Sequence, residues 1–177
     1  MKVKASKEGK MFSRSYEIVQ ERKNTHNKKS SADIPSGIVY PKIEEYCDKH
    51  TTVASPALEF VKQKTLERYS FAAHMMVGPV VGHLLKTLVR TTNASRVLEI
   101  GTFTGYSTLY LAEGLANGGK IITCDMDKEA VEIAREAFKL SLHSPKIECR
   151  VNTAMKSLEE MVQHREGPFD LIFLDAD

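Results

Sequence analysis

The sequence has few cysteines and no long hydrophobic run. Its 177 residues include three cysteines, an odd number without the spacing of a metal site, and Cys124 and Cys149 fall in predicted buried strands. We therefore expect reduced thiols packed as small apolar side chains. No apolar run approaches the roughly 20 residues that span a bilayer, and no apolar segment follows the basic N-terminus. Neither a membrane span nor a secretory signal is predicted, and we expect a cytoplasmic location.

The sequence also has little excess of one sign of charge, because 25 Lys and Arg nearly balance 23 Asp and Glu and the net charge is only +2. The distribution is uneven: residues 1–30 hold nine Lys and Arg against three Asp and Glu, whereas the remainder holds sixteen against twenty. A basic segment can bind nucleic acid or an anionic membrane. Here Lys, Ser, Asn and Thr dominate it and apolar periodicity is absent. We interpret residues 1–35 as a basic, disordered extension and expect neither nucleic acid nor a membrane as a partner.

From Arg96 onward the hydrophobic pattern alternates between strands and helices. It predicts strands at 96–100, 120–124, 147–151 and 169–174, and helices at about 106–116, 128–141 and 155–164. Earlier helices are predicted from Val39 to Cys47, after Ser55-Pro56 and after Gly78-Pro79. Continuous apolar strands joined by helical crossovers indicate an α/β fold, with a mostly parallel sheet covered by helices on both faces.

The most informative segment surrounds the first of these strands. Leu98-Glu99-Ile100-Gly101 runs into a turn, Thr104-Gly105-Tyr106-Ser107 opens a helix, and Asp125 ends the next strand. A glycine there lets the backbone approach a ligand, and an acid at that strand end can accept both hydroxyls of a ribose. The dinucleotide fingerprint G-x-G-x-x-G needs a middle glycine to admit a pyrophosphate, but Phe103 occupies that place. The pattern favours a ligand with a ribose and no pyrophosphate, which points to S-adenosylmethionine.

These segments, with Cys124-Asp125-Met126-Asp127 and the terminal Phe173-Leu174-Asp175-Ala176-Asp177, resemble the cation-dependent O-methyltransferases of the caffeoyl-CoA and catechol type. The resemblance runs from about Ser55 to the last residue. It implies a Rossmann-like methyltransferase fold of seven strands, of which four are predicted here. We therefore expect a C-terminally truncated chain that lacks the last strands, with residues 36–177 as the N-terminal part of the domain.

The resemblance also implies a reaction and the residues that carry it. The family transfers a methyl group from S-adenosylmethionine to a catechol or caffeoyl-type aromatic hydroxyl, with a divalent cation, usually Mg²⁺. Asp175 matches a ligand of that cation and is the expected catalytic residue. The family commonly forms homodimers, which are expected here too. Positions matching cofactor contacts are Val77, Glu99, Gly101, Thr102, Ser107, Asp125, Ala154 and Asp177.

Several alternatives stay open at this stage. The Ser107 hydroxyl could cap the following helix, and Val77 could simply pack against a helix. The chain has two Asp-x-Asp pairs, 125/127 and 175/177, and this pattern also occurs in nucleotide-sugar transferases, where both carboxylates bind one metal ion. Asp127, however, is expected to cap the next helix. The family's other two metal ligands are expected downstream of the last residue. The single carboxylate of Asp175 is therefore not expected to hold Mg²⁺ tightly.

Two other interpretations of the whole chain stay open. The second interpretation is a catalytically inactive form that binds cofactor or pairs with another chain through an open sheet edge. The third is an NAD-binding domain.

Overall fold

The structure is a computed structural model in which residues 40–176 are described. The chain divides into two units, residues 1–49 and 50–177. Helix α1 (Pro41–His50) forms most of the described part of the first unit, with Lys49 and Glu45 paired one turn apart at 2.6 Å. The predicted extension 1–35 and Asp177 lie outside the described residues, so the predictions made for them stay predictions.

The second unit is built on a parallel sheet. Its strands are β1 (Arg96–Ile100), β2 (Lys120–Asp125), β3 (Ile147–Val151) and β4 (Leu171–Leu174). They pair in the order β3-β2-β1-β4, and every pairing is parallel. This order occurs in half of a doubly wound α/β sheet. β2 and β3 are added on one side of β1 and β4 on the other, so the crossover direction reverses and the reversal point lies between β1 and β4. The predicted Rossmann-like α/β fold is confirmed.

Five longer helices connect and cover these strands: α2 (Pro56–Arg68), α3 (Pro79–Thr91), α4 (Tyr106–Gly114), α5 (Lys128–Lys139) and α6 (Ala154–Gln163). The first two begin at a proline, whose missing N–H costs nothing in the first turn. The predicted cap of α5 is confirmed, because the Asp127 carboxylate accepts the backbone N–H groups of Glu129 and Ala130. Within residues 40–176, every helix is too short or too polar to cross a bilayer.

Helices cover both faces of the sheet, as predicted. Val97 and Ile121 lie on one face, in a buried cluster with Leu85 and Val89 of α3 and with residues of α4. The opposite face packs against α6 through Met161, with Leu98, Ile100, Ile122 and Cys124. The alternation along each strand therefore places successive side chains in two separate cores.

β4 pairs with β1 and has no other strand beside it within residues 40–176. Ile172 and Leu174 are 61% and 72% exposed on the face that α6 covers elsewhere. The strand begins at Leu171, two residues after the predicted start. Phe169 packs instead on the α6 side of the sheet, with the Arg96 guanidinium 5.5 Å from its ring centre, so the prediction that Phe169 belongs to the strand was wrong.

Candidate functional site

A cavity of about 490 Å³ lies at the carboxyl ends of the strands. The carboxyl ends of all four strands contribute to its wall, through Gly101 after β1, Asp125 at the end of β2, Asn152 after β3 and Asp175 after β4. The 69–77 segment, which joins α2 to α3, lines it as well. In open α/β sheets ligands bind outside the carboxyl ends of the strands, where the crossover direction reverses. The cavity therefore has the position and size of a small-molecule site.

The turn after β1 has an unusual backbone. Gly101, Phe103 and Gly105 have φ angles of +106°, +45° and +89°. A β-carbon at Gly101 would lie 2.4 Å from the carbonyl oxygen of Asp175. We predicted that this glycine admits a ligand, but the atom that takes the place of its side chain is the Asp175 carbonyl. Glycine at 101 is thus required by the chain's own strand end as well as by its backbone angle.

Asp125 lies in the cavity wall, where two backbone groups hold its carboxylate. The N–H of Phe103 donates to Oδ2 at 2.6 Å, and the N–H of Asp127 donates to Oδ1 at 2.9 Å. Each carboxylate oxygen retains a lone pair for a second donor. The side chain is therefore fixed in orientation and still able to accept two hydroxyl groups, which is what the predicted ribose contact requires.

Tyr69 is a site residue that the motif analysis did not single out. Its hydroxyl donates to Asp127 Oδ2 at 3.1 Å, and its ring meets the Phe103 ring edge to face, with centroids 5.2 Å apart. Burial, and secondarily the neighbouring Asp127, raise the pKa of Tyr69 to about 12, so its hydroxyl remains a donor at neutral pH. No local pattern signals this role, because Tyr69 and Asp127 are 58 residues apart in sequence.

Glu99 is fully buried and lies behind the cavity wall rather than on it. Its Oε2 accepts the hydroxyl of Thr123 at 2.6 Å and the hydroxyl of Thr108, while Oε1 has no hydrogen-bond partner within residues 40–176. Burial raises the pKa of Glu99 to about 7, outweighing the nearby hydroxyls that lower it. Thr102 connects this carboxyl to the cavity, since its hydroxyl lies 2.6 Å from that of Thr123. The predicted cofactor contact of Glu99 stays a prediction.

The structure brings most of the predicted site residues to one cavity. Ser107 lies inside α4 and is almost fully buried, whereas Gly105 is the N-cap residue of that helix. The alternative role of Ser107 as a capping hydroxyl was therefore wrong. Asp177 lies outside the described residues. The predicted residues that line the cavity are Val77, Gly101, Thr102, Ser107, Asp125, Ala154 and Asp175.

The charge of the wall is negative. Its described side chains include three carboxylates, those of Asp125, Asp127 and Asp175, and no Lys, Arg or His. Such a wall suits a cationic ligand and disfavours a diphosphate. Among the residues that the structure describes, however, no three His, Cys, Asp or Glu side chains are grouped to hold a metal ion. These residues therefore do not fit the predicted divalent cation, for which Asp175 is a single exposed carboxylate.

The solved structures that are similar to this chain include two O-methyltransferases with a bound cofactor or its product. An O-methyltransferase from Bacillus cereus, solved in complex with SAH, has 32% sequence identity and a TM-score of 0.71, over 77% of this chain and 61% of that one. The O-methyltransferase TomG from Streptomyces achromogenes, solved in complex with SAM, has 29% identity and a TM-score of 0.71, over 76% and 60%.

Curated relatives agree with this likeness. O-methyltransferase ankF of Aspergillus thermomutatus is 35% identical over 76% of this chain, catechol O-methyltransferase of Niastella koreensis 34% over 57%, and caffeoyl-CoA O-methyltransferase 2 of Petunia hybrida 37% over 54%. The matched parts are 55%, 46% and 40% of those proteins, so the chain spans about half the length of its relatives. The O-methyltransferase family model matches residues 48–177, and this chain therefore belongs to the O-methyltransferase family.

Proposed function

We propose that this chain binds S-adenosylmethionine and forms the cofactor-binding part of an O-methyltransferase that acts on an aromatic hydroxyl. The observation that carries the proposal is the carboxylate-lined cavity at the reversal point of the sheet, with Asp125 fixed in its wall. S-adenosylmethionine carries a sulfonium and an ammonium group, both positively charged. The described lining residues include three carboxylates and no basic side chain, so the wall attracts these two groups. The same charge opposes the pyrophosphate of NAD.

Each part of the cofactor has a matching part of the wall. The Asp125 carboxylate would accept the ribose hydroxyls, because each of its oxygens accepts one backbone N–H, from Phe103 or Asp127, and keeps a lone pair for a hydroxyl. Ala154 and Asn152 would flank the adenine, and the turn at Gly101 with Ser107 would receive the methionine end. The SAH-bound and SAM-bound similar structures support this cofactor.

In the proposed reaction the acceptor oxygen attacks the methyl carbon of the cofactor. The carbon–sulfur bond breaks, its electron pair stays on sulfur as the demethylated cofactor forms, and the acceptor's proton passes to solvent. The chain's residues contribute by holding the cofactor in one orientation. Catechol and caffeoyl-type acceptors are proposed from the sequence resemblance and from the names of the Niastella and Petunia relatives. No step is assigned to the predicted divalent cation, because the described residues, with Asp175 alone, do not form a site for it.

Isothermal titration with S-adenosylhomocysteine tests the proposal. We expect the wild-type chain to bind S-adenosylhomocysteine and not NAD. In Asp125→Ala the binding free energy for S-adenosylhomocysteine should weaken by about 1.5–3 kcal/mol, because the variant lacks a charge-assisted contact to the ribose. Glu136→Ala, which removes an exposed acid of α5 outside the cavity wall, is the matched control and should bind like the wild type. Unchanged affinity in Asp125→Ala would refute the ribose assignment. Cofactor binding without catechol methylation would favour the inactive binding module.

A further inference from the structure

Four contacts around Asp125 form a closed circuit. The Asp125 carboxylate accepts the N–H groups of Phe103 and Asp127. The Asp127 carboxylate accepts the Tyr69 hydroxyl, and the Tyr69 ring packs edge to face on the Phe103 ring. Tyr69 thus contacts both residues whose backbone groups hold Asp125, although it does not touch Asp125 itself.

α2 holds Tyr69 in this place through a second contact one turn earlier. The buried Thr65 hydroxyl lies 2.8 Å from the Thr104 hydroxyl and 2.7 Å from the Val61 carbonyl oxygen. Tyr69 directly follows α2, and its backbone N–H donates to the Thr65 carbonyl oxygen at 2.8 Å. Thr65 and Tyr69 therefore join the C-terminal end of α2 to the turn that follows β1, at Thr104 and Phe103.

The Asp127 carboxylate divides its two oxygens between different partners. Oδ1 caps α5 by accepting the N–H groups of Glu129 and Ala130, while Oδ2 accepts the Tyr69 hydroxyl. The two roles use different oxygens, so removing the Tyr69 hydroxyl would delete one contact to Asp127 and leave the cap in place. The residue whose N–H donates to Asp125 would then be held by fewer contacts.

We propose that Tyr69 is a positioning residue for the cofactor, which acts through Asp127 and Phe103 to hold the Asp125 carboxylate in the orientation that receives the ribose. This inference rests on the proposed function, since it assigns the ribose to Asp125. It also links the 69–77 segment to the ribose site, because Tyr69 is the first residue of that segment.

Tyr69→Phe tests the inference, since it keeps the ring against Phe103 and removes only the hydrogen bond to Asp127. Titrations use S-adenosylhomocysteine and its 2′,3′-dideoxy analogue, which lacks the hydroxyls that Asp125 would accept. We expect about fivefold weaker binding of S-adenosylhomocysteine, the effect of one hydrogen bond, and less than about twofold change for the analogue. Tyr110→Phe, which removes a buried hydroxyl outside the circuit, should alter neither.

Hydrogen exchange of the free protein gives a second measurement that needs no ligand. The N–H groups of Phe103 and Asp127 should exchange faster in Tyr69→Phe than in the wild type, because their acceptor Asp125 is less restrained. Equal losses for both ligands, or unchanged affinity and unchanged exchange, would overturn the inference while leaving the proposed function in place. A wild-type chain that does not bind S-adenosylhomocysteine would overturn both.

Discussion

Replacing Glu99 by glutamine should change how the stability of this chain depends on pH. Glu99 is fully buried, and burial raises its pKa from the usual 4.5 to about 7. The folded protein therefore binds a proton that the unfolded chain releases between these two values. A glutamine side chain cannot titrate in this range, so the Glu99→Gln variant isolates this contribution.

The sign and size of the effect follow from the two pKa values. Below pH 4.5 both states hold the proton and Glu99 imposes no ionisation penalty. Between pH 4.5 and pH 7 the folded protein keeps a proton that the unfolded chain releases, so stability falls as the pH rises. Above about pH 7 the loss is complete, because both states are then ionised and folding buries a carboxylate whose Oε1 has no partner within residues 40–176. A difference of about 2.5 pKa units at 1.36 kcal/mol each amounts to about 3 kcal/mol.

Urea unfolding of wild type and Glu99→Gln from pH 5 to pH 8.5 measures this contribution. Over this pH range the difference in unfolding free energy between the two proteins should shift by about 2.5 kcal/mol in favour of the variant, since part of the effect is already present at pH 5. Burial lowers the pKa of His143, which gives the opposite slope, but both proteins share it and it cancels. The comparison uses slopes, because the buried amide of the variant adds a constant penalty. Parallel profiles would refute the assignment of a raised pKa to Glu99.

Two glycine substitutions test the packing around the site. Gly101→Ala should lower the unfolding free energy by about 1–3 kcal/mol, because φ is +106° and the new β-carbon meets the Asp175 carbonyl oxygen; an unchanged urea midpoint would contradict this. Gly82→Ala places a β-carbon 2.3 Å from the Tyr110 ring and should cost about 1–3 kcal/mol by overpacking. Gly78→Ala, with no atom within 4 Å, is the control, and an equal loss there would refute the packing argument.

Local signals explain what the sequence predicted well. The strands β1 and β3 and the starts of α2, α4 and α5 agree with the predictions, because apolar periodicity, a first-turn proline and a capping carboxylate act within a few residues. Most of the cavity residues could be predicted from the sequence, because the carboxyl ends of the strands meet at one edge of a parallel sheet. Phe169 was misassigned because an aromatic residue before a strand looks like part of the apolar run.

Contacts distant in sequence explain what was missed. The space beside Gly101 is filled by Asp175, which follows another strand, and Tyr69 reaches Asp127 from the segment that follows α2. The full burial of Glu99 depends on hydroxyls supplied by both α4 and β2. Such pairings follow from the three-dimensional arrangement of elements, which no single motif contains.

The contact between Gly101 and the Asp175 carbonyl limits how this site can be redesigned. The strand end cannot move toward residue 101, since no side-chain volume separates the two backbones there. A larger ligand must therefore be accommodated elsewhere in the wall. The 69–77 segment offers Phe71 and Met75, which are 73% and 47% exposed and line the same cavity. A library intended to alter the size of ligand that the cavity admits should vary these two positions and keep Gly101 and the backbone after β4 unchanged.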